Sequence, residues 1–191
     1  MSQPAAFLDR DGVINVDHGY VVRRDEFAWV PGVREAAATL HRAGFALVVV
    51  TNQSGIGRGM YSEVDFLSLT DWMRGEFARA GAPLAGVYFC PHHPTEALGA
   101  LRTRCDCRKP APGMVLAAAR ELDLDLGGSV LFGDKVSDLK AARAAGVPHR
   151  VLLATDGVGT PDAAPESLAT AAFASLSEAV QARPWTHKAA A

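Results

Sequence analysis

Short runs of apolar residues alternate along this chain with longer segments in which apolar positions recur three or four residues apart. The runs predict five β-strands, at residues 5–8, 45–50, 86–89, 129–132 and 149–153. Most of these runs are aliphatic throughout, which is typical of strands buried on both faces in a parallel sheet. The segments between them predict four helices, at residues 33–42, 63–79, 113–122 and 136–145. This alternation predicts an α/β fold, a doubly wound parallel sheet with helices on both faces.

The predicted helix boundaries carry the residues that usually mark them. Pro31 stands at the start of the first helix, where a fixed φ favours helix initiation. Gly44, Gly81 and Gly146 follow the ends of three helices, where glycine commonly terminates the helical backbone. We therefore expect these four residues to lie at element ends.

The chain is less regular beyond about residue 160. An Ala/Pro-rich stretch at residues 160–165 predicts a loop before a last element around residues 171–180, and residues 184–191 predict a frayed end. The length of 191 residues and the hydrophobic content of 49% suit one compact domain over residues 1–191. No insertion after the first or second strand is long enough to predict a cap domain.

The net charge and the lack of targeting signals argue against nucleic acid and membranes as binding partners. Lys and Arg total 19 against 21 Asp and Glu, so the formal net charge is −2 and no strong basic field favours nucleic acid or anionic membranes. The first residues lack the pattern of a signal peptide, and the aliphatic run at residues 46–50 is too short to span a bilayer. We expect a cytoplasmic monomer that acts on a small soluble molecule.

Polar residues follow the predicted strands, at the edge where parallel sheets bind ligands. Asp9 and Asp11 come two residues apart after the first strand, and Asp134 follows the fourth. Adjacent carboxylates repel one another, and a hard divalent cation such as Mg²⁺ offsets that repulsion. The alternative is that each aspartate caps a helix or forms a turn. Three carboxylates at one sheet edge favour the metal site.

Three further groups predict an anion site beside these carboxylates. Thr51, the turn at Ser54 and Gly55, and Lys109 offer a hydroxyl, backbone N–H groups and a positive charge. Alternatively, Thr51 only caps a turn and Lys109 is a solvated surface charge. The combination indicates a phosphate group held next to a cation.

All three cysteines fall in one stretch of the chain. Cys90, Cys105 and Cys107, together with His92, form a closed set of four ligands for a structural Zn²⁺ ion. The alternative is that the three thiols cluster by chance. If zinc binds, the neighbouring His93 is a second imidazole that could be mistaken for the ligand. Metal binding would order the loop between these ligands.

Two cationic side chains follow the cluster directly. The zinc-ordered loop leads into Arg108 and Lys109 and so positions them. Arg108 can pair bidentately with a second phosphate group. The predicted role of the zinc site is therefore to position the side chains that bind the substrate.

The order of these residues resembles the haloacid dehalogenase superfamily of Mg²⁺-dependent phosphotransferases. The matching positions are Asp9-Arg10-Asp11-Gly12, Thr51, Lys109, and Gly133-Asp134 with Asp138. The resemblance implies that Asp9 attacks phosphorus and forms an aspartyl-phosphate, and that Asp11 serves as general acid and base. It also implies that Asp9, Asp134 and the Asp11 carbonyl hold Mg²⁺, and that Asp138 orients a metal-bound water or Lys135.

The zinc loop and the sequence Cys-Asp-Cys-Arg-Lys-Pro at residues 105–110 resemble one branch of this superfamily, which contains heptose-1,7-bisphosphate 7-phosphatases and histidinol phosphatases. Residues 15–20 and 52–59 are similar to the heptose enzymes. The resemblance implies that Arg108 binds the distal phosphate and that other residues contact the phosphosugar, namely Asp17, His18, Gly19, Tyr20, Asn52, Gln53, Ser54 and Lys135. Without the resemblance, residues 17–20 would be interpreted as a polar turn.

Three functions remain at this point. The favoured one is a phosphatase that acts on a small phosphosugar and removes the C7 phosphate of heptose 1,7-bisphosphate. The second is hydrolysis of histidinol phosphate by the same residues, and the third is a non-catalytic, zinc-stapled domain that binds a phosphorylated ligand. The presence of every acid that turnover requires argues against the third.

Overall fold

The computed structural model describes residues 2–154, 168–182 and 185, and it confirms the predicted alternation of strands and helices. The strands are β1 (Gln3–Leu8), β2 (Ala46–Asn52), β3 (Leu84–Cys90), β4 (Leu124–Gly133), β5 (His149–Leu153) and β6 (Ala171–Phe173). The helices are α1 (Val33–Arg42), α2 (Ser54–Gly57), α3 (Glu63–Arg79), α4 (Gly113–Glu121), α5 (Val136–Ala144) and α6 (Leu176–Ala182). Two 3-10 turns, at Arg24–Glu26 and Gly99–Leu101, lie in the connecting segments.

The six strands form one parallel sheet in the order β3-β2-β1-β4-β5-β6. The chain builds outward from β1 through β2 to β3 and then crosses to the other side of β1. Strand order therefore reverses between β1 and β4, and a crevice opens there at the carboxyl ends of the strands. This is the doubly wound α/β fold that the sequence predicts.

Apolar residues cover both faces of the sheet. Successive side chains of β1 alternate between two clusters: Ala6 and Leu8 pack with residues of α1, α3 and α6 on one face, and Ala5 and Phe7 pack with residues of α4 and α5 on the other. Because both of its faces are buried, β2 has apolar side chains at five successive positions, residues 46–50. The two cores hold the strand ends in fixed positions.

Element ends agree with the predictions except at a few places. Gly44, Gly81 and Gly146 all have positive φ, at 95°, 75° and 85°, as residues that end helices do. Pro31 is not the first helical residue, since Gly32 is the N-cap of α1 with φ 74°. Pro31 lies one position farther out and contributes to the turn before the helix.

Two strands differ from the sequence-based expectation. The strand β4 begins at residue 124 rather than 129, and its pairing with β1 shifts register between Pro4 and Ala6. The single element predicted around residues 171–180 is a strand followed by a helix, because Ala171 pairs with Val151 of β5. The predicted loop at 160–165 and, apart from Trp185, the predicted frayed end at 184–191 lie outside the described residues.

No helix in the described ranges combines the length and apolar character needed to cross a membrane.

Candidate active site

Three carboxylates meet at the crevice between β1 and β4. Asp9 follows β1, Asp134 follows β4, and Asp138 lies in the first turn of α5. One oxygen from each of the three lies within 4.8 Å of the others. Two of the three strand-end aspartates expected to converge, Asp9 and Asp134, do so, whereas the side chain of the third, Asp11, is not in this cluster and Asp138 completes it.

Lys109 is buried among these acids. Its Nζ lies 2.9 Å from Asp9 Oδ1 and 2.6 Å from Asp138 Oδ1, and it donates to the Val50 carbonyl oxygen at 2.9 Å. Burial lowers the pKa of Lys109, but the Asp138 and Asp9 carboxylates outweigh it and raise the pKa above its usual value. A solvated surface lysine is therefore the wrong interpretation.

The backbone of Lys109 is held by the end of β2. Asn52 Oδ1 accepts from the Lys109 N–H at 3.0 Å, and Asn52 Nδ2 donates to the Lys109 carbonyl oxygen at 3.1 Å. Thr51, beside Asn52, lies inside β2 and is buried, so it does not cap a turn. The strand and the lysine segment are thus fastened together at the edge where phosphate is expected.

The acidic cluster fits a divalent cation. Within the described chain, Asp134 Oδ1 is buried and accepts no hydrogen bond. Burial raises the pKa of Asp9 to about 7, with Lys109 opposing and the neighbouring Asp138 and Asp134 adding to the rise, and burial raises that of Asp134 to about 6. Oxygen ligands with excess negative charge suit Mg²⁺, which would offset this repulsion. A Cβ at Gly12 would overlap Asp134, so glycine is required for this close approach.

Asp11 is held separately from that cluster by a ring of donors. Arg10 donates to its carboxylate from Nε at 3.1 Å and from Nη2 at 2.8 and 3.0 Å. Asn15 Nδ2 donates to Oδ1 at 3.1 Å, and Gln53 Nε2 donates to Oδ2 at 3.0 Å. Sequence reasoning missed Arg10 and Asn15 as partners, although an arginine between two strand-end aspartates was a visible signal.

A cavity of about 300 Å³ opens above these groups. It is lined by twelve of the predicted site residues: Asp9, Asp11, Asp17, Gly19, Tyr20, Thr51, Asn52, Gln53, Ser54, Lys109, Lys135 and Asp138. Gly55, Tyr61 and Ser137 complete the lining, and sequence reasoning assigned no role to the last two. The structure thus brings together residues from six separate segments of the chain.

The loop at residues 17–20 is tied to the end of β4. Asp17 Oδ2 lies 3.1 Å from Lys135 Nζ, which is also 3.4 Å from Asp134 Oδ2. Asp17 Oδ1 accepts from the Gly19 N–H at 3.0 Å. These contacts place Gly19 and Tyr20 on the cavity wall.

Asp138 contacts Lys135 differently from what was expected. Its Oδ2 accepts from the Lys135 backbone N–H at 3.0 Å, whereas the Lys135 side chain extends to Asp17 and Asp134. The shortest contact of Asp138 is from its Oδ1 to Lys109 Nζ, at 2.6 Å. In this structure Asp138 therefore positions the ammonium group of Lys109 and not that of Lys135.

Two predicted substrate residues do not line this cavity. His18 lies in a neighbouring cavity together with Gly19, Tyr20 and Asp25. Arg108 Nη1 donates to the His92 carbonyl oxygen at 3.2 Å, which directs it along the zinc loop. Substrate contact by either residue stays a prediction.

The Cys/His cluster has the dimensions of a structural metal site. The three Sγ–Sγ distances are 3.6 Å for Cys90–Cys105 and 3.2 Å for both Cys90–Cys107 and Cys105–Cys107. His92 Nδ1 lies 3.7 Å from Cys90 Sγ and 3.4 Å from Cys107 Sγ. Ligands of tetrahedral zinc lie roughly 3.8 Å apart, whereas disulfide sulfurs lie at about 2 Å. The four side chains fit Zn²⁺, and the cysteines are free.

His93 faces away from the cluster. Its Nδ1 accepts from the Glu96 N–H at 3.0 Å and from the Thr95 N–H at 3.4 Å, which stabilises the turn that follows. The choice of His92 over His93 as the fourth candidate ligand therefore agrees with the geometry.

Comparison with known proteins identifies relatives over nearly the full chain. A family model described as HAD-hydrolase-like matches residues 106–179. The D-glycero-beta-D-manno-heptose-1,7-bisphosphate 7-phosphatase of Vibrio cholerae is 51% identical over 92% of this chain and 94% of its own length. The D-glycero-alpha-D-manno-heptose-1,7-bisphosphate 7-phosphatase of Burkholderia mallei is 52% identical over 80% of this chain and 81% of its own.

A solved structure supports the same relationship. The crystal structure of D,D-heptose 1,7-bisphosphate phosphatase from B. bronchiseptica, complexed with magnesium and phosphate, superposes with a TM-score of 0.80. The two proteins are 34% identical, and the match covers 94% of this chain and 97% of the other.

Proposed function

Because this chain belongs to the haloacid dehalogenase-like hydrolases, in the family of the heptose-1,7-bisphosphate 7-phosphatases, we propose that it removes the C7 phosphate of D-glycero-D-manno-heptose 1,7-bisphosphate. The observation that carries the proposal is the buried Asp9–Lys109 pair at the floor of a polar cavity. A nucleophile, a cation and the Thr51 hydroxyl meet there, as phosphoryl transfer requires.

Phosphate binding precedes the chemistry. Lys109, Thr51, Ser54 and Gly55 line the cavity beside Asp9. The Lys109 ammonium, the Thr51 hydroxyl and the backbone N–H groups of Ser54 and Gly55 would donate to the phosphoryl oxygens there. When bound by Asp9, Asp134 and the Asp11 carbonyl, Mg²⁺ supplies charge neutralisation between the nucleophile and the phosphate. The donors on the protein hold the phosphoryl group in line with the Asp9 carboxylate.

The reaction then takes two steps. An Asp9 oxygen attacks phosphorus, the bond between phosphorus and the C7 oxygen breaks, and Asp11, which enters this step in its protonated form, donates that proton to the departing alkoxide. Asp11, now a carboxylate, takes a proton from water, which attacks the phosphorus of the aspartyl-phosphate. Inorganic phosphate leaves and Asp9 is regenerated. One water is consumed and heptose 1-phosphate is released.

The remaining parts of the proposal concern the setting of the reaction. We place the enzyme in the cytoplasm as a monomer that acts on this small phosphosugar, without nucleic acid or a membrane. The nearly balanced charge of −2 supports a small soluble substrate. A structural Zn²⁺ ion at the Cys/His cluster would order the loop that leads into Arg108 and Lys109.

Product analysis tests the proposed substrate. With Mg²⁺ and either anomer of heptose 1,7-bisphosphate, ³¹P NMR is expected to show loss of the C7 resonance and retention of the C1 resonance. Histidinol phosphate, which offers no second phosphate, is expected to have a kcat/KM about one to two decades lower, the worth of one charge-assisted contact. Equal turnover of histidinol phosphate would contradict the proposal.

Arg108 tests recognition of the second phosphate. Arg108→Ala is expected to lower kcat/KM for the bisphosphate by about one to two decades and to leave simple phosphomonoesters nearly unaffected, because only the bisphosphate gains the guanidinium contact. Arg104→Ala removes an exposed arginine from the same loop and is the matched control. Steady-state kinetics with both kinds of substrate measures the effect. An equal loss of kcat/KM on both would refute recognition of the second phosphate by Arg108.

A further inference from the structure

We propose that Tyr61 is a positioning residue for proton transfer by Asp11, and that it acts through the side-chain amide of Gln53. This inference rests on the proposed function, since it concerns the acid that protonates the leaving alkoxide. Tyr61 lies just before α3, far in sequence from Asp11.

A continuous chain of hydrogen bonds links the three residues. The Tyr61 hydroxyl donates to Gln53 Oε1 at 2.6 Å. Gln53 Nε2 donates to Asp11 Oδ2 at 3.0 Å and to Thr51 Oγ1 at 2.8 Å. Gln53 is 2% exposed, so water has little access to replace a missing partner. All three of these hydrogen bonds of the Gln53 amide are therefore made with protein groups.

The direction of the amide matters because its two ends differ. The NH₂ end donates to the Asp11 carboxylate, whereas a flipped amide would place Oε1 against that negative charge. The Tyr61 hydroxyl favours the observed orientation because it gives Oε1 a donor. Without that donor, a buried acceptor is left unsatisfied, and the free-energy preference for the donating orientation falls.

The hydroxyl is well placed to remain a donor. Burial raises the pKa of Tyr61 to about 12, with the Arg10 charge opposing and the Asp11 charge adding to the rise, so the phenol stays protonated near neutral pH. The ring packs over Gly55, where a Cβ would overlap it. The next residue, Ser62, is the N-cap of α3 and forms a capping box with Asp65, which holds this end of the segment.

Loosening of Gln53 would affect one chemical step more than the others. An alkoxide leaving group requires a proton from Asp11 as the bond to phosphorus breaks. Nitrophenolate is a far weaker base and leaves without one. A variant that misplaces Asp11 therefore slows cleavage of the sugar phosphate and spares the first cleavage of p-nitrophenyl phosphate.

Tyr61→Phe tests this expectation directly. For the bisphosphate, kcat is expected to fall about 3- to 10-fold, the effect of one hydrogen bond, with KM changed less than about twofold. The rate at which p-nitrophenyl phosphate releases nitrophenolate in single-turnover experiments is expected to stay within about twofold of wild type. Tyr88→Phe, which removes a hydroxyl that bonds to Glu121 at 2.9 Å outside the cavity, is the matched control and is expected to change neither rate.

A double-mutant cycle tests whether Tyr61 acts through Gln53. In a Gln53→Ala background, Tyr61→Phe is expected to have no further effect on kcat, since the amide that transmits the contact is gone. Additive losses would overturn the coupling.

Two other results would overturn the inference. An equal loss on both substrates would show a general structural effect, and an unchanged kcat for the bisphosphate would show that the hydroxyl has no role. Failure of the proposed function is recognised separately, because wild-type protein would then leave the bisphosphate intact.

Discussion

Replacement of Asp9 by asparagine is expected to lower kcat by about 10⁴-fold or more, because the amide cannot form the aspartyl-phosphate. The substitution keeps the shape of the side chain, and an amide oxygen can still accept from the Arg10 N–H and from Lys109 Nζ, which lie 2.7 and 2.9 Å from Oδ1. Burial raises the pKa of Asp9 to about 7, so the site disfavours its charge. We therefore expect the variant to fold without loss of thermal stability.

Rapid-quench experiments complete the test of Asp9. In wild-type protein, mass spectrometry is expected to place a phosphoryl group on the peptide that contains Asp9. Asp125→Asn is the matched control: the Asp125 side chain lies outside the cavity and accepts from the Gly127 N–H at 2.9 Å, which an amide oxygen can also do, so kcat should not change. Phosphate found on another residue, or residual activity near the wild-type level, would exclude Asp9 as the nucleophile.

The double variant Cys105→Ser/Cys107→Ser is expected to lose about one equivalent of zinc per chain and to have an unfolding temperature lower by on the order of 10 °C. The bound metal would stabilise a loop in which no apolar periodicity is present, and its loss would release the segment that leads into Arg108 and Lys109. We expect KM to rise about 10-fold or more, with a smaller change in kcat, because Asp9 and Asp134 sit on strand ends that the loop does not hold.

The neighbouring imidazole provides the control for the zinc prediction. His93→Ala should retain the full zinc content, since His93 Nδ1 bonds to the backbone N–H groups of the following turn. Elemental analysis and calorimetry measure the two effects. Wild-type protein free of zinc after purification without chelators, or an unchanged metal content in the double variant, would contradict a zinc site.

Several features were predictable because local pattern determines them. The bounds of α1 and α3 agree with the predicted helices at residues 33–42 and 63–79, since apolar spacing and end residues mark both helices in the sequence. The strand-end carboxylates were predictable for the same reason, since parallel strands expose their carboxyl ends at one edge. The Cys/His cluster required only the residue types and their spacing.

Other features depend on contacts between residues far apart in the chain. Lys109 is buried and paired only because β2, β1 and α5 bring Asn52, Asp9 and Asp138 to it, and Asn52 lies 57 positions away. The orientation of Arg108 toward the His92 carbonyl and the extension of β4 to residue 124 have the same origin.

The sequence by itself thus determined the alternation of elements, the acids at the strand ends and the candidate metal ligands, because periodicity and residue chemistry are local properties. Only the tertiary structure decided which donors surround Asp11 and how they are held, since Arg10 is adjacent in sequence but Gln53 follows β2. The partner of Gln53, Tyr61, lies just before α3. The direction of a buried amide depends on the partners at both of its ends. Those partners are set by how distant segments pack, and no local pattern of apolar and polar residues contains that information.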